Sequence, residues 1–318
     1  MYSDETDQQV PKRRFLTLRS GLLYLFIVLI LLVIITGSLL VIFGDFNALS
    51  VDSDKVSVIH IQGVMITANL PGGFGYATSE EICKCIRNAA DDNNVKAIVL
   101  RINSAGGTPA AAQEITNEIK KAKEKKPIVV SMGDVAASGG YYISAPTDFI
   151  VANPDTITGS IGVIWVFENR SAYYKEEGIE FYAAKSGKFK DMGRDWTGLS
   201  DDEKQYSDEI VMETYQRFVD EVAIGRNLSV SEVKDLADGR IYTGSKAIEL
   251  GLVDKTGNLY DAIDIAAELG NIEGEPDVDY ENRPTLSKLL FGSSNEMNSQ
   301  VEGLLRYFYD SPFGRIEI

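Results

Sequence analysis

Between residues 56 and 269 the chain alternates short apolar runs with amphipathic stretches, and this alternation restricts the fold more than any other feature. Val56–Ile61, Val95–Ile102, Ile128–Met132 and Phe149–Ala152 are dominated by Val, Ile, Leu and Ala, in the length range of buried strands. Ser79–Ala90 and Pro109–Lys123 carry apolar residues at helical spacing, the second with proline at its start, where the missing N–H does no harm. Such alternation predicts an α/β fold with a mainly parallel sheet. Ile161–Trp165 and Ile179–Ala183 are further strand candidates, separated by a short helix over Ala172–Glu177. Ser200-Asp201-Asp202-Glu203 and Ser229-Val230-Ser231-Glu232 have the capping-box spacing. They predict a long helix to about Ile224 and a short one ending near Gly239. A helix to Leu250 with Gly251 beyond its end, a strand Leu252–Asp254 and a helix Leu259–Leu269 complete the pattern. There is no internal repeat, so the chain is a single unit.

The N-terminus follows different rules. Leu22–Phe43 is 22 residues without a charge. As a helix it would span about 33 Å, enough to cross a bilayer core. Lys12, Arg13, Arg14 and Arg19 precede it and Asp45 follows. The excess of basic residues predicts a cytoplasmic N-terminus and a large domain on the outer side of the cell membrane. A cleaved signal peptide fits less well, because the run is long and no small-x-small site closes it. The expected division is a tail over 1–20, a transmembrane anchor over 21–44, a linker over 45–54, a catalytic domain over 55–270 and a C-terminal extension over 271–318 that covers a groove or contacts another subunit.

Net charge is −16, and past residue 20 there are 27 basic groups against 44 acidic ones, a net of −17. An acidic outer domain argues against nucleic-acid partners. Cys83 and Cys85 are the only cysteines, too few for a zinc site when the chain has one histidine. Ile82, Cys85 and Ile86 share helical spacing, which puts Cys85 toward the core and Cys83 toward solvent.

Three glycine-containing loops fall at predicted carboxyl ends of strands: Asn103-Ser104-Ala105-Gly106-Gly107, Ala137-Ser138-Gly139-Gly140 and Thr158-Gly159-Ser160-Ile161-Gly162. In an open α/β sheet that edge binds ligands. Ser138, flanked by Ala136, Ala137, Gly139 and Gly140, is a candidate nucleophile on a strand-to-helix turn, and N–H groups of Gly107 and Gly139 are candidates for an oxyanion hole. As a helix N-cap Ser138 also has an ordinary structural role. The one histidine, His60, sits inside a predicted core strand. A base other than imidazole is needed, and Lys185, Lys188 and Lys190 are the rivals. A free lysine has a pKa of about 10.4, so a lysine base must be desolvated.

The segments Gly133–Ile143, Thr158–Val163, Ser186–Asp191 and Asp238–Gly244, in this order, resemble signal peptide peptidase A, a membrane-anchored serine protease family, in its short single-unit form. Ala105 stands where the family often has proline. The resemblance implies a ClpP/crotonase-like spiral fold and a Ser-Lys dyad without metal or cofactor. It gives Ser138 as nucleophile, Lys190 as general base and Ser160 as the residue that orients the lysine. It further implies degradation of cleaved signal peptides and ring-like homo-oligomers in which Ser138 of one protomer meets Lys190 of the next. Two other readings share the fold: a crotonase-like enzyme acting on acyl-CoA, and an inactive membrane scaffold.

Overall fold

The computed structural model describes residues 23–36, 53–68, 75–282 and 315–317. The chain divides into two compact units, Met1–Ser53 and Asp54–Ile318. In the first, residues 23–36 form a helix, α1, with every side chain exposed. Among the described residues no helix is long and apolar enough to cross a membrane. The anchor expected over 21–44 runs beyond the described residues at both ends, and the tail expected over 1–20 lies outside them.

The second unit opens with β1 (Lys55–Gln62), β2 (Val64–Ile66), β3 (Tyr76–Thr78), α2 (Ser79–Asp91), β4 (Val95–Ser104) and α3 (Pro109–Lys123). It continues with β5 (Ile128–Ala137), α4 (Gly139–Ser144), β6 (Phe149–Ala152), β7 (Ile157–Gly159), β8 (Ile164–Val166) and α5 (Ser171–Glu176). Then follow α6 (Asp201–Arg226), α7 (Val230–Leu236), β9 (Ile241–Thr243), α8 (Gly244–Glu249), β10 (Lys255–Thr256), α9 (Leu259–Leu269), β11 (Asp277–Glu281) and β12 (Arg315–Glu317).

The main sheet runs β10-β6-β5-β4-β1-β11, and every neighbouring pair on that path is parallel. The central strands β1, β4, β5 and β6 are largely apolar on both faces because both faces are covered. In β4, Ile98, Leu100 and Ile102 point into the larger core with residues of α2, α3 and α4, while Ala97 and Val99 point into a second core with Ala262, Ile263 and Ala266 of α9. The strand period of two divides the residues between these layers. The helix starts follow the sequence: Ser200–Glu203 and Ser229–Glu232 close capping boxes on α6 and α7, and Thr108 caps α3 ahead of Pro109. Short α4 is buried throughout; Tyr142 meets Phe218 of α6 edge-on at 5.1 Å, and the Tyr141 hydroxyl donates to the Leu252 carbonyl.

Several expectations are corrected. Ile161–Trp165 is not one strand: positive φ at Gly159 and Ser160 turns the chain, leaving β7 before the turn and β8 after it. Ile179–Ala183 forms no strand. Its apolar residues instead join an aromatic cluster, with Phe181 stacked on Trp196 at 4.7 Å and edge-on to Tyr174 at 4.9 Å. Leu252–Asp254 is a turn with Leu252 and Val253 buried, their amides donating to the Ala247 carbonyl, and the strand begins at Lys255. Cys83 is buried like Cys85, and burial pushes its thiol up to about 11. The sheet also continues past residue 270, since β11 pairs with β1 from Asp277 to Glu281.

Candidate active site

Strand β5 is longer than its apolar run. Val129–Met132 pairs with β6, and Val135–Ala137 then pairs with β7. Between these stretches the register against β4 shifts, Ile102 facing Met132 but Ser104 facing Ala136. The Asn103 side chain fills the bulge, its oxygen accepting the Val135 N–H at 3.1 Å. Thr158 secures the new pairing through a hydroxyl bond of 2.7 Å to the Ala136 carbonyl.

Ser138 stands where β5 ends and α4 begins, partly exposed, with φ 53° and ψ −120°. These are the angles of the first central position of a type II′ turn, normally taken by glycine. Its side chain makes no capping bond, which removes the N-cap explanation for a serine here. The conformation is held from both sides. The Ser138 N–H donates to the Gly159 carbonyl at 2.8 Å, and the Ser138 carbonyl accepts from the Tyr141 and Tyr142 amides at 2.9 Å. Next to it, Gly140 presses on β4: a Cβ there would lie 2.8 Å from the Ser104 carbonyl oxygen.

The two proposed oxyanion donors come from different elements. Gly139 opens α4, and the first N–H groups of a helix have no partner within it. Gly107 forms an isolated parallel bridge with Met65 of β2, in which Met65 bonds to Gly106 and Thr108. That pattern leaves the Gly107 N–H directed away from β2. A Cβ at Gly107 would fall 2.1 Å from the Met65 carbonyl oxygen, so no other residue fits there.

Ser160 follows β7 with φ 50°, directly after Gly159 at φ 76°. Its N–H donates to the Arg240 carbonyl at 2.8 Å, and β9 pairs antiparallel with β7. The Asp238–Gly244 segment, to which the sequence assigned no task, therefore supports the Ser160 turn. Nothing in its composition announces this, because only the tertiary pairing of β7 with β9 brings the two segments together.

Ser138, Ser160, Gly139 and Gly107 all lie at the carboxyl edge of the sheet. Lys190 is not joined to them: among the described residues no hydrogen bond or ion pair links it to Ser138 or Ser160. It is exposed, on a short turn closed by its own N–H to the Gly187 carbonyl at 3.1 Å. Its rivals differ from it in one respect. Lys185 is paired with Asp191 at 2.6 Å and Lys188 with Asp202 at 2.8 Å, while Lys190 has no acidic partner among the described residues. The Lys185 ammonium holds the Asp191 carboxyl below the usual carboxylate range, so the acid beside Lys190 in sequence is engaged elsewhere. His60 lies on β1 opposite Arg101, stacked on Tyr280 at 6.2 Å, on the far side of β4 from Ser138.

Residues 120–273 match the model of peptidase family S49. Over 235 residues, 73% of this chain and 84% of the relative, the chain is 38% identical to a Synechocystis protein named "Putative protease slr0021". The chain belongs to peptidase family S49. It is 41% identical over 201 residues to an Enterococcus faecium protein named "Putative signal peptide peptidase SppA", covering 63% of this chain and 58% of that one. With the Arabidopsis thaliana "Serine protease SPPA, chloroplastic" it shares 35% identity over 217 residues, covering 68% of this chain and 31% of the relative. As a member of this family the chain is a serine peptidase, and the acyl-CoA reading of the fold falls away. The matched span contains Ser138, Ser160, Lys190 and the Asp238–Gly244 segment, but not Gly107.

One consequence concerns stability. A side chain at positive φ costs about 1–2 kcal/mol that glycine avoids. Ser138→Gly should therefore be more stable than Ser138→Ala by about 1 kcal/mol in urea unfolding, with equal slopes. Equal stability would show that the turn is not strained.

Proposed function

We propose that this S49 peptidase is a membrane-anchored endopeptidase that degrades signal peptides after their release, using a Ser138–Lys190 dyad. The observation that carries the reading is the strained, uncapped Ser138 beside glycine N–H groups that have no partner among the described residues. In the proposed mechanism the Ser138 hydroxyl attacks the peptide carbonyl and its proton passes to the neutral Lys190 amine. The Gly107 and Gly139 N–H groups hold the oxyanion. Collapse expels the amine, which takes the proton from Lys190, and water then hydrolyses the acyl-enzyme. The Ser160 hydroxyl orients the lysine amine without adding a charge that would hold it protonated. The reaction requires no metal or cofactor.

An extended substrate suits the edge next to Ser160. Strand β8 already accepts an extended backbone there, β12 pairing antiparallel along Ile164–Val166. Exposed Ile164 and Val166 favour an apolar peptide, the chemistry of a signal-peptide core. The name of the Enterococcus faecium relative supports the same substrate class. For the anchor, the support is the uncharged run Leu22–Phe43 behind a basic cluster. Protease added to spheroplasts should then digest the large domain; its full protection alongside an accessible N-terminus would reverse the orientation.

Lys190→Ala should reduce peptide cleavage by about a thousandfold or more with the fold intact, whereas Lys185→Ala and Lys188→Ala should change it by no more than about threefold. Turnover should rise with pH, because only the neutral amine accepts a proton. If Lys188→Ala is the inactive variant instead, the base has been assigned two residues too late.

Because Lys190 is exposed in the single chain, its desolvation must come from outside it. We propose a homo-oligomer, closed by head-to-tail contacts, in which a neighbouring protomer supplies Ser138 and covers the lysine. Mixing inactive Ser138→Ala and Lys190→Ala proteins under subunit exchange should restore activity, since some interfaces then pair an intact serine with an intact lysine. Mixed oligomers that stay inactive would place both residues of a dyad in one chain.

A further inference from the structure

We propose that Tyr242 is a positioning residue: its ring fixes the Gly159–Ser160 turn and, through the Gly159 carbonyl, the backbone of Ser138. The inference rests on the reading of Ser138 as the nucleophile. Two successive residues with positive φ, Gly159 at 76° and Ser160 at 50°, make the turn that carries this carbonyl. Such a turn is not self-supporting, and β7 is only three residues long. Among the described residues its outer neighbour β9 pairs with no other strand, so there the β7–β9 ladder has no further strand behind it.

What replaces that strand is the ring of Tyr242. It lies against the Cα of Gly159, where an added Cβ would come within 2.5 Å of Cδ2 and 3.1 Å of Cε2. At its far end the hydroxyl donates to the Leu236 carbonyl at 3.0 Å, and the ring packs on the larger core. Glycine at 159 therefore meets two demands, positive φ and the space the ring occupies. Behind the ring, the Arg240 carbonyl receives the Ser160 N–H, and the Gly239 N–H donates to the Ile161 carbonyl at 3.1 Å, closing the turn on its other flank. The next link is the bond from the Ser138 N–H to the Gly159 carbonyl at 2.8 Å. If Gly159 shifts, the Ser138 peptide rotates with it, and so does the adjoining Gly139 N–H. Tyr242 touches no reacting atom; it acts on the rate through backbone geometry.

The test follows acylation of Ser138 in the full chain by a fluorophosphonate, with the adduct located by peptide mapping, beside peptide turnover. Tyr242→Ala should slow acylation and kcat by about tenfold or more, a loss of the size that small misplacements produce. KM should stay within about twofold, the labelled end-point should still reach full occupancy, and thermal unfolding should remain cooperative. Tyr242→Phe, which keeps the ring, should recover the wild-type rate to within about twofold. Should Tyr242→Ala fail to fold, Gly159→Ala drives a methyl group into the ring from the other side and must give the same slow but complete acylation. Wild-type rates in Tyr242→Ala, or in a folded Gly159→Ala, would overturn the proposal. So would a Tyr242→Phe variant as slow as Tyr242→Ala, which would assign the effect to the hydroxyl. If the wild-type adduct does not form on Ser138, the nucleophile reading fails first and takes this inference with it.

Discussion

The change of partner along β5 is the constraint on which the rest of the site depends. A strand that kept β6 as its neighbour throughout would end in an ordinary parallel ladder. Instead the register against β4 slips between Ile102 and Ser104, and β5 leaves β6 for β7 at Val135. The slip delivers Ala137 opposite Gly159, so that the next N–H, that of Ser138, points at the Gly159 carbonyl. The glycines follow from this approach. Gly140 must lack a side chain because α4 starts against the Ser104 carbonyl, and Gly107 because its backbone runs against Met65. Bulges beside active sites re-aim a side chain in this way, and here three residues of β5, Gly133 to Val135, stand opposite Asn103 alone.

The proposed lysine base sets a second requirement, and the single chain meets only half of it. An ammonium paired with a carboxylate is stabilised in its charged form, which is the wrong direction for a base. Lys185 is paired with Asp191, the acid that adjoins Lys190, and Lys188 with Asp202. Lys190 is thereby kept clear of opposite charge, but it is not buried. Desolvation is the remaining step, and a surface lysine obtains it only when something covers it. Phe189, the neighbour of Lys190 in sequence, is exposed and offers apolar surface for such a cover.

Much of the architecture was legible because one physical signal determines it. Strands covered on both faces are continuously apolar, and the bounds of β6, α3 and α9 coincide with those drawn from composition and caps. The signal failed where apolar residues are placed by something other than a sheet. Leu252 and Val253 are buried in a turn, and Phe181 is held by Trp196 and Tyr174, yet both stretches have strand-like composition. The sheet-edge position of Ser138 was legible from small residues after an apolar run. Its backbone angles were not, since they arise from pairing with residues about twenty positions away. The support lent by Arg240 and Tyr242 was further out of reach, because it links segments some eighty residues apart.

Strain of this kind also explains why the supporting bonds are so numerous. Ser138 and Ser160 each hold a side chain at positive φ, together about 2–4 kcal/mol against a typical total stability of 5–15 kcal/mol. No single hydrogen bond offsets that, since each is worth about 1 kcal/mol net. Around Ser138 the chain places three backbone bonds and the Thr158 hydroxyl bond to Ala136, and behind Ser160 the two bonds from the β9 segment. At about 1 kcal/mol each these six bonds together exceed the strain, so the loop holds its shape without substrate, and binding energy is not spent on forming it. The proposed nucleophile, set in advance in this way, would act on an unstructured peptide that brings little binding energy of its own, and the fold would need to supply only the edge along which that peptide extends.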